Sequence, residues 1–358
     1  MDIDKAVSVY LTQPIEIKII WAIGLVFFAL WAGYTLLLYL LKAIRKYKEQ
    51  RNKEISAQQK EITDDFLFSD SDISHIPTNL YNRHYKRELF IEVLMQYQRT
   101  FKGNETRKVA EIYKTLNLTR HSLNKLKSNK YHIIIQGIQE LARMKHTDLT
   151  NLCMPFRHAK EPVLASEAQI QIMQQYGFTA LDIFENYTNP ISRWQQVRIL
   201  NTLKNFQNYD EAQLVPLLQS SNQDVVVLTL RVIGENGLFS AAEEVFSLRK
   251  SPVPQVRLQV YICLEKLSQS QRAGSIHAAL KNEKHPEVKA AILKCLRSFA
   301  DSASFASFTR EIEHPQFEVA YQAAKGLLQI GATSGKKIEQ LSKRARAIVE
   351  RVEEEATQ

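Results

Sequence analysis

The sequence predicts an all-α fold, an α-solenoid of about seven helix pairs preceded by one transmembrane helix. Three observations carry this. An apolar signature returns about every 31 residues through the last two thirds of the chain, a 23-residue stretch near the N-terminus carries no charge, and only 11 Gly and 10 Pro are spread over 358 residues. So few turn-formers leave little material for a β-sandwich, and no run of alternating residues supports a sheet.

The uncharged stretch comes first. Residues 19–41, from Ile19 to Leu41, are rich in Leu, Ile, Phe and Trp. As a helix they would span about 34 Å, against a hydrocarbon core of about 30 Å. A cleaved signal peptide would have a basic start, a shorter apolar run and small residues before the cut, whereas here Asp2 and Asp4 precede the run and Lys42, Ala43, Ile44 and Arg45 follow it. Lys42, Arg45, Lys46, Lys48, Arg51 and Lys53 crowd the C-terminal flank, while Lys5 and Lys18 lie on the other side. The positive-inside rule therefore leaves residues 1–18 as a short extracytoplasmic N-terminus and puts the remainder in the cytoplasm, as a single-pass protein of the cell's cytoplasmic membrane. Trp21 and Tyr39 suit the interfaces. Trp31 and Tyr34 lie deeper, and the small pair Ala29 and Gly33 would let a second helix approach.

Charge is then sorted in blocks. Residues 42–82 read as a juxtamembrane basic helix and an acidic linker: seven Lys or Arg fall in 42–60, and five acids with no Lys or Arg in 61–82. Ser69, Asp70, Ser71, Asp72, Pro77 and Asn79 give the linker its turn chemistry, while Phe66, Leu67 and Phe68 are able to dock on a neighbour. Residues 83–130 turn basic again, with 12 Lys or Arg against Glu88, Glu92, Glu105 and Glu111. Within them Leu89, Phe90, Val93, Leu94 and Tyr97 form one helical stripe; Val109, Ile112, Tyr113 and Leu116 form another after a cap at Asn104; Leu123 with Leu126 marks a short third. This segment is expected to cap the solenoid's first unit. Its basic face, with Lys86, Arg87, Lys102, Arg107 and Lys108 as candidate membrane or partner contacts, faces an anionic inner leaflet, where each well placed cation contributes on the order of 1 kcal/mol. Arg83 and Arg99 add to the same charge, but a tethered chain without a recognition motif argues against nucleic acid.

The repeats occupy residues 131–347, followed by a charged C-terminal tail over 348–358. Taking Ile133, Leu164, Gln195, Val225, Val256, Val288 and Val319 as origins, the residues eight further on are Leu141, Ile172, Leu203, Ile233, Leu264, Leu296 and Leu327. All seven are apolar. Eleven further on stand Met144, Gln175, Phe206, Asn236, Leu267, Phe299 and Ile330, apolar in five units of seven. Offsets of 0, 8 and 11 share one helical face, and Val245, Ile276 and Phe308, each 20 past its origin, mark a second helix. Units of this period cannot bury an apolar face alone and stack into a solenoid.

Pro254, Gln255, Val256 and Arg257 open one unit; His285, Pro286, Glu287, Val288 and Lys289 open the next; Gly326, Leu327, Leu328, Gln329, Ile330 and Gly331 close the last. In these residues the chain resembles HEAT repeats of the bilin-lyase type. The four C-terminal units match well, and the three before them keep the period but lose much of the pattern.

Cys153, Cys263 and Cys295 form no even, closely spaced framework, so disulfides are not expected and a reducing compartment fits. Cys263 and Cys295 stand seven past their origins, where Val232 and Gly326 stand in two other units, and read as small core residues. Glycine-rich phosphate loops, paired His at helical metal spacing and a Ser nucleophile between glycines are absent. Cys153 and His158, with His146 just before them, lack the second Cys of a zinc signature. His285 and His314 each precede a proline at a junction between units. No catalytic residue, metal or cofactor is therefore expected, and the chain is expected not to be an enzyme.

The whole layout resembles bacterial membrane-anchored HEAT-repeat proteins, which are commonly encoded near membrane glycosyltransferases. The resemblance implies a membrane-tethered, non-enzymatic scaffold or adaptor that binds a protein partner, a membrane glycosyltransferase on that reading, with anionic lipid headgroups as a further contact. The alternatives are a bilin-lyase-like enzyme, which would share the repeat type, and a membrane signalling adaptor.

Overall fold

The computed structural model describes residues 14–68, 76–206, 213–299, 304–330 and 341–357. Asp2, Asp4 and Lys5 before the apolar stretch, the turn residues Ser69, Asp70, Ser71 and Asp72, and Gly331 at the close of the last repeat lie outside them. Among the described residues there is no strand. Contacts divide the chain into two units, Met1–Lys125 with Gln139–Lys145, and Leu126–Ile138 with His146–Gln358.

The first unit begins with α1, Ile15–Phe68, 54 residues in one helix. Pro14 immediately precedes it, and no Gly or Pro interrupts the helix after Gly33, so nothing in the second half breaks the i to i−4 ladder. The two halves behave differently. From Ile19 to Leu41 every side chain is exposed except the half-buried Ala32, and the most apolar 18-residue window has a mean hydropathy of 2.0 with none of it buried in the protein. In the second half, Gln59, Thr63 and Leu67 are buried, and Asn52, Ile55, Ile62 and Phe66 are half-buried beside them. These positions recur at three and four residues, so they form one stripe. It packs on α2, His84–Thr100, and α3, Asn104–Thr115. Gln59 Nε2 donates to the carbonyls of Leu80 at 2.8 Å and Lys86 at 3.0 Å, and Tyr97 donates its hydroxyl proton to Asp64 at 2.6 Å. The segment 61–68, expected to begin an acidic linker, is thus helix: its acids point outward while Leu67 enters the core.

Phe90, Ile91, Val93 and Leu94 of α2 and Val109, Ile112 and Tyr113 of α3 fill that core. Asn104 is the first residue of α3 rather than its cap. The cap is Gly103, whose φ of +82° only glycine adopts without strain. The short α4, Leu118–Lys125, departs most from expectation. Its Leu123 is only half-buried, whereas His121, Ser122 and Lys125 are buried.

The second unit carries the repeats. After the beginning of α5, Tyr131–Arg143, come α6, Leu149–Cys153; α7, Pro162–Tyr176; α8, Arg193–Leu203; α9, Leu214–Leu218; α10, Gln223–Asn236; α11, Ala242–Ser247; α12, Pro254–Lys266; α13, Ala273–Asn282; α14, Pro286–Ser298; α15, Phe305–Glu311; α16, Phe317–Gln329; and α17, Lys343–Thr357. From the repeat at Ile133 to that at Val288, each is one long helix followed by a shorter one. In the repeat beginning at Leu164 the second helix is the 3₁₀ segment Gly177–Phe184. Pro162, Pro254 and Pro286 start their helices at N1, where a missing N–H costs nothing. The long helices stack in sequence, α7 on α8, then α10 on α12 on α14 on α16, which packs on α17.

The apolar register holds in space. Leu141, Ile172, Leu203, Ile233, Leu264, Leu296 and Leu327 are all buried, and so are Val245, Ile276 and Phe308 on the short helices. The polar exceptions are resolved locally. Gln195, at an origin position, donates to Gln169 Oε1 at 2.6 Å, and Gln169 donates onward to the Arg157 carbonyl at 2.8 Å. Gln175 is exposed. Ion pairs one period apart, Arg198 with Glu167 at 2.9 Å and Lys266 with Glu235 at 2.6 Å, link successive repeats. The expected charged tail is also corrected: 348–358 belongs largely to α17, whose Ala345, Ile348, Val349 and Val352 at i, i+3, i+4 and i+7 close the core.

Cys153, Cys263 and Cys295 are free and fully buried. Burial pushes the thiols of Cys153 and Cys263 up to about 12 and that of Cys295 higher still, which keeps them inert at neutral pH.

Candidate functional site

The first unit contains a polar chain that runs from its surface into its core. It starts at His84, the exposed first residue of α2. One turn later on the same face is Glu88, since residues four apart on a helix are neighbours. His121 of α4 brings Nε2 to 2.6 Å from Glu88 Oε1, and its ring meets that of His84 edge-on with centroids 4.6 Å apart. Lys125, one turn on in α4, donates to Glu88 Oε2 and to Glu140 Oε1, each at 2.6 Å. Glu140 also accepts from Ser122 at 2.5 Å, and Ser122 accepts from the Tyr113 hydroxyl at 2.6 Å.

Two carboxylates thus share one ammonium in a site where Lys125 and Glu140 are nearly out of solvent. A buried cation is tolerable only with such pairing. At Glu88 burial works against the ionised form, but the hydrogen bonds from His121 and Lys125 outweigh it and bring the carboxyl down to about 2. Tyr113 moves the other way: burial and the Glu140 charge raise its phenol above the usual range, against the opposing Ser122 bond. Donor atoms of His84, Glu88 and His121 all lie within 4.8 Å of one another. These three are the residues here able to hold a metal ion.

A pattern of paired histidines does not include this group, which mixes His and Glu. The His84/Glu88 spacing was visible. That His121, 33 residues beyond Glu88, would join them was not. The Cys153, His158 and His146 grouping gains no support: Cys153 is buried, whereas His158 is exposed with its ring 5.5 Å from that of Tyr187.

The five basic candidates fall into two sets. Lys86 donates to the Asn79 carbonyl, Arg87 to those of Tyr81 at 2.8 Å and Asn82 at 3.3 Å, and Lys108 to that of Leu67 at 3.0 Å. These three brace the connection between α1 and α2 and the end of α1. Lys102 and Arg107 are exposed, flanking the turn at Gly103. In the second unit a cleft of about 540 Å³ is lined by Arg249, Lys250, Arg257, Tyr261 and His285 among others. Its arginines already have partners, Arg257 in a two-pronged pair at 2.8 and 2.9 Å with Glu283, which also lines the cleft, and Arg249 over the Phe246 ring at 3.9 Å.

No family model matches the chain, and no curated protein matches its sequence. Among solved structures it is similar to human deoxyhypusine hydroxylase in complex with glycerol, at 12% identity and a TM-score of 0.32, over 78% of this chain and 98% of that one. That structure is nonetheless of a hydroxylase, so the expectation that this chain is not an enzyme is withdrawn.

Proposed function

We propose that the chain is a membrane-tethered helical-repeat protein whose cytoplasmic repeats bind a protein partner. The observation that carries this reading is α1 itself. Its first half is long enough to cross a bilayer and finds no apolar cover among the described residues, while its second half is built into a folded core. A helix so divided connects a membrane to a domain without a hinge between them. The basic flank from Lys42 to Lys53 supports an N-out, C-in orientation in the cytoplasmic membrane.

The partner surface is supported by exposed apolar side chains on consecutive long helices. Val163 of α7 and Trp194 of α8 each stand one residue before a repeat origin, are 60% and 71% exposed, and are joined by the exposed Val197. Large apolar groups repeated at one register on a solenoid offer anchors to another protein. A membrane glycosyltransferase is the partner that the resemblance to bacterial membrane-anchored HEAT-repeat proteins suggests. Lys102 and Arg107 are the basic contacts left free to meet anionic headgroups.

Crosslinking in native membranes followed by mass spectrometry tests the reading. A recurrent membrane glycosyltransferase, lost when Trp194 and Val163 are replaced by Asp and Ser, is the expected result. Crosslinks unchanged by those substitutions, or purification of the chain with bound tetrapyrrole colour, would replace it.

A further inference from the structure

We propose that His84, Glu88 and His121 form a binding site for a divalent transition-metal ion, zinc foremost. The inference stands independently of membrane tethering and of the protein partner.

Two imidazoles and one carboxylate are the ligand set of an open zinc site, which leaves a fourth position to water. Imidazole nitrogen with carboxylate oxygen favours zinc and its neighbours in the first transition row over calcium or magnesium. The three donors already converge, within 4.8 Å of one another. Zinc bonds of about 2.0–2.1 Å in a tetrahedron put ligand atoms about 3.3 Å apart, so the site needs an opening of the 2.6 Å contact between His121 and Glu88 and a modest closure. His84 is free to supply it, being exposed at the first turn of α2. The other two already meet: His121 is buried, and Glu88 is gripped at Oε2 by Lys125 while Oε1 faces His121 Nε2 at 2.6 Å. An ion entering there replaces the proton shared between Nε2 and Oε1, and both atoms keep a partner.

The surroundings suit such an ion. Lys125 brings a positive charge close to the site, and Glu140 at 2.6 Å shares that charge with Glu88. Lys125 then acts as the orienting partner that a ligating carboxylate needs, and Glu140, Ser122 and Tyr113 hold Lys125 in turn. Because α2 and α4 each contribute a ligand, the ion would tie two helices of the first unit together.

The test uses the full chain, purified in detergent and stripped of metal. Titration with Zn²⁺ is expected to give one equivalent bound per chain, and Co²⁺ in its place to give the intense visible absorption of a tetrahedral site. His84→Ala, an exposed substitution, is expected to weaken zinc binding about tenfold or more and to abolish the cobalt absorption without shifting the thermal midpoint of the metal-free chain. Glu88→Gln is a second variant and should lose the same absorption. His158→Ala, an exposed histidine of the second unit, should change nothing. The proposal is overturned if no stoichiometric binding occurs, if His84→Ala and Glu88→Gln bind like the parent, or if His158→Ala abolishes binding.

Discussion

Phe308 lies flat against Gly326: a Cβ placed on the glycine would stand 2.5 Å from Phe308 Cε1. The ring belongs to the short helix of one repeat and the glycine to the long helix of the next, so an absent side chain lets successive repeats close up. Gly326→Ala is therefore expected to cost about 1–3 kcal/mol by forcing the ring aside. Gly274 in α13 has nothing within 4 Å of the equivalent point, and Gly274→Ala should leave stability unchanged or slightly raised. Thermal or urea denaturation of the two variants checks the contrast.

Leu264 and Leu296 occupy the same repeat position in adjacent repeats, and both are fully buried. Leu→Ala at either should cost roughly 2–5 kcal/mol. Hydrogen exchange should show the neighbouring repeat softening with it, because each repeat is stabilised by the next. Loss of protection confined to the altered helix would contradict that coupling.

Why this register was legible, and other features were not, follows from where each one gets its information. The positions from Leu141 to Leu327 are set by a local pattern that reappears seven times, and burial follows pattern. The face that α4 buries is set instead by Glu88 and Glu140, 33 and 15 residues from their partners His121 and Lys125. On propensity alone Leu123 and Leu126 looked like the inward pair. Two charges from distant helices made the polar face the better one to bury. The end of α1 was hidden for a similar reason: acids at Glu61, Asp64 and Asp65 resembled a linker, whereas Thr63 and Leu67 between them carry the packing. In α17, charge density concealed the spacing of Ala345, Ile348, Val349 and Val352. The candidate site was half legible, in the His84/Glu88 spacing and in the basic residues, but nothing in the sequence showed that Lys86, Arg87 and Lys108 spend their charge on carbonyls.

The shared ammonium of Lys125 gives a further expectation. Lys125→Met leaves Glu140 buried without a counter-charge and should cost about 3–5 kcal/mol. Adding Glu140→Gln should restore part of the loss, as a double-mutant cycle would reveal.

Stability should also fall with acid. Glu88 drops from an ordinary 4.5 to about 2 in the folded chain, so its contribution is complete above 4.5 and is lost as pH falls from there toward 2. Glu88→Gln should flatten the pH dependence of the melting temperature in that window. An unchanged acid limb would mean that other carboxylates govern it.

The basic residues should separate by role. In a fragment starting at Lys42, which keeps the docked half of α1, Lys102→Gln with Arg107→Gln should reduce binding to anionic vesicles and leave the melting temperature alone. Lys86→Gln, Arg87→Gln and Lys108→Gln should lower the melting temperature, because each releases a carbonyl. Vesicle binding should weaken steeply with salt, since exposed charges are screened over about 8 Å at physiological ionic strength. Binding that persists in high salt would point to an apolar contact.

The central claim is that residues 19–41 cross a bilayer while the rest of α1 belongs to a folded unit. Membrane fractionation with alkaline carbonate extraction tests it most directly. The full chain should stay in the carbonate-resistant pellet, and a variant with Leu25, Phe28 and Leu36 replaced by Asp should move to the supernatant with its helical circular dichroism and melting temperature intact. A parent chain extracted by carbonate, or a triple variant that loses its fold, would contradict the account, because the first would show a surface association and the second would show that this half of the helix packs on protein.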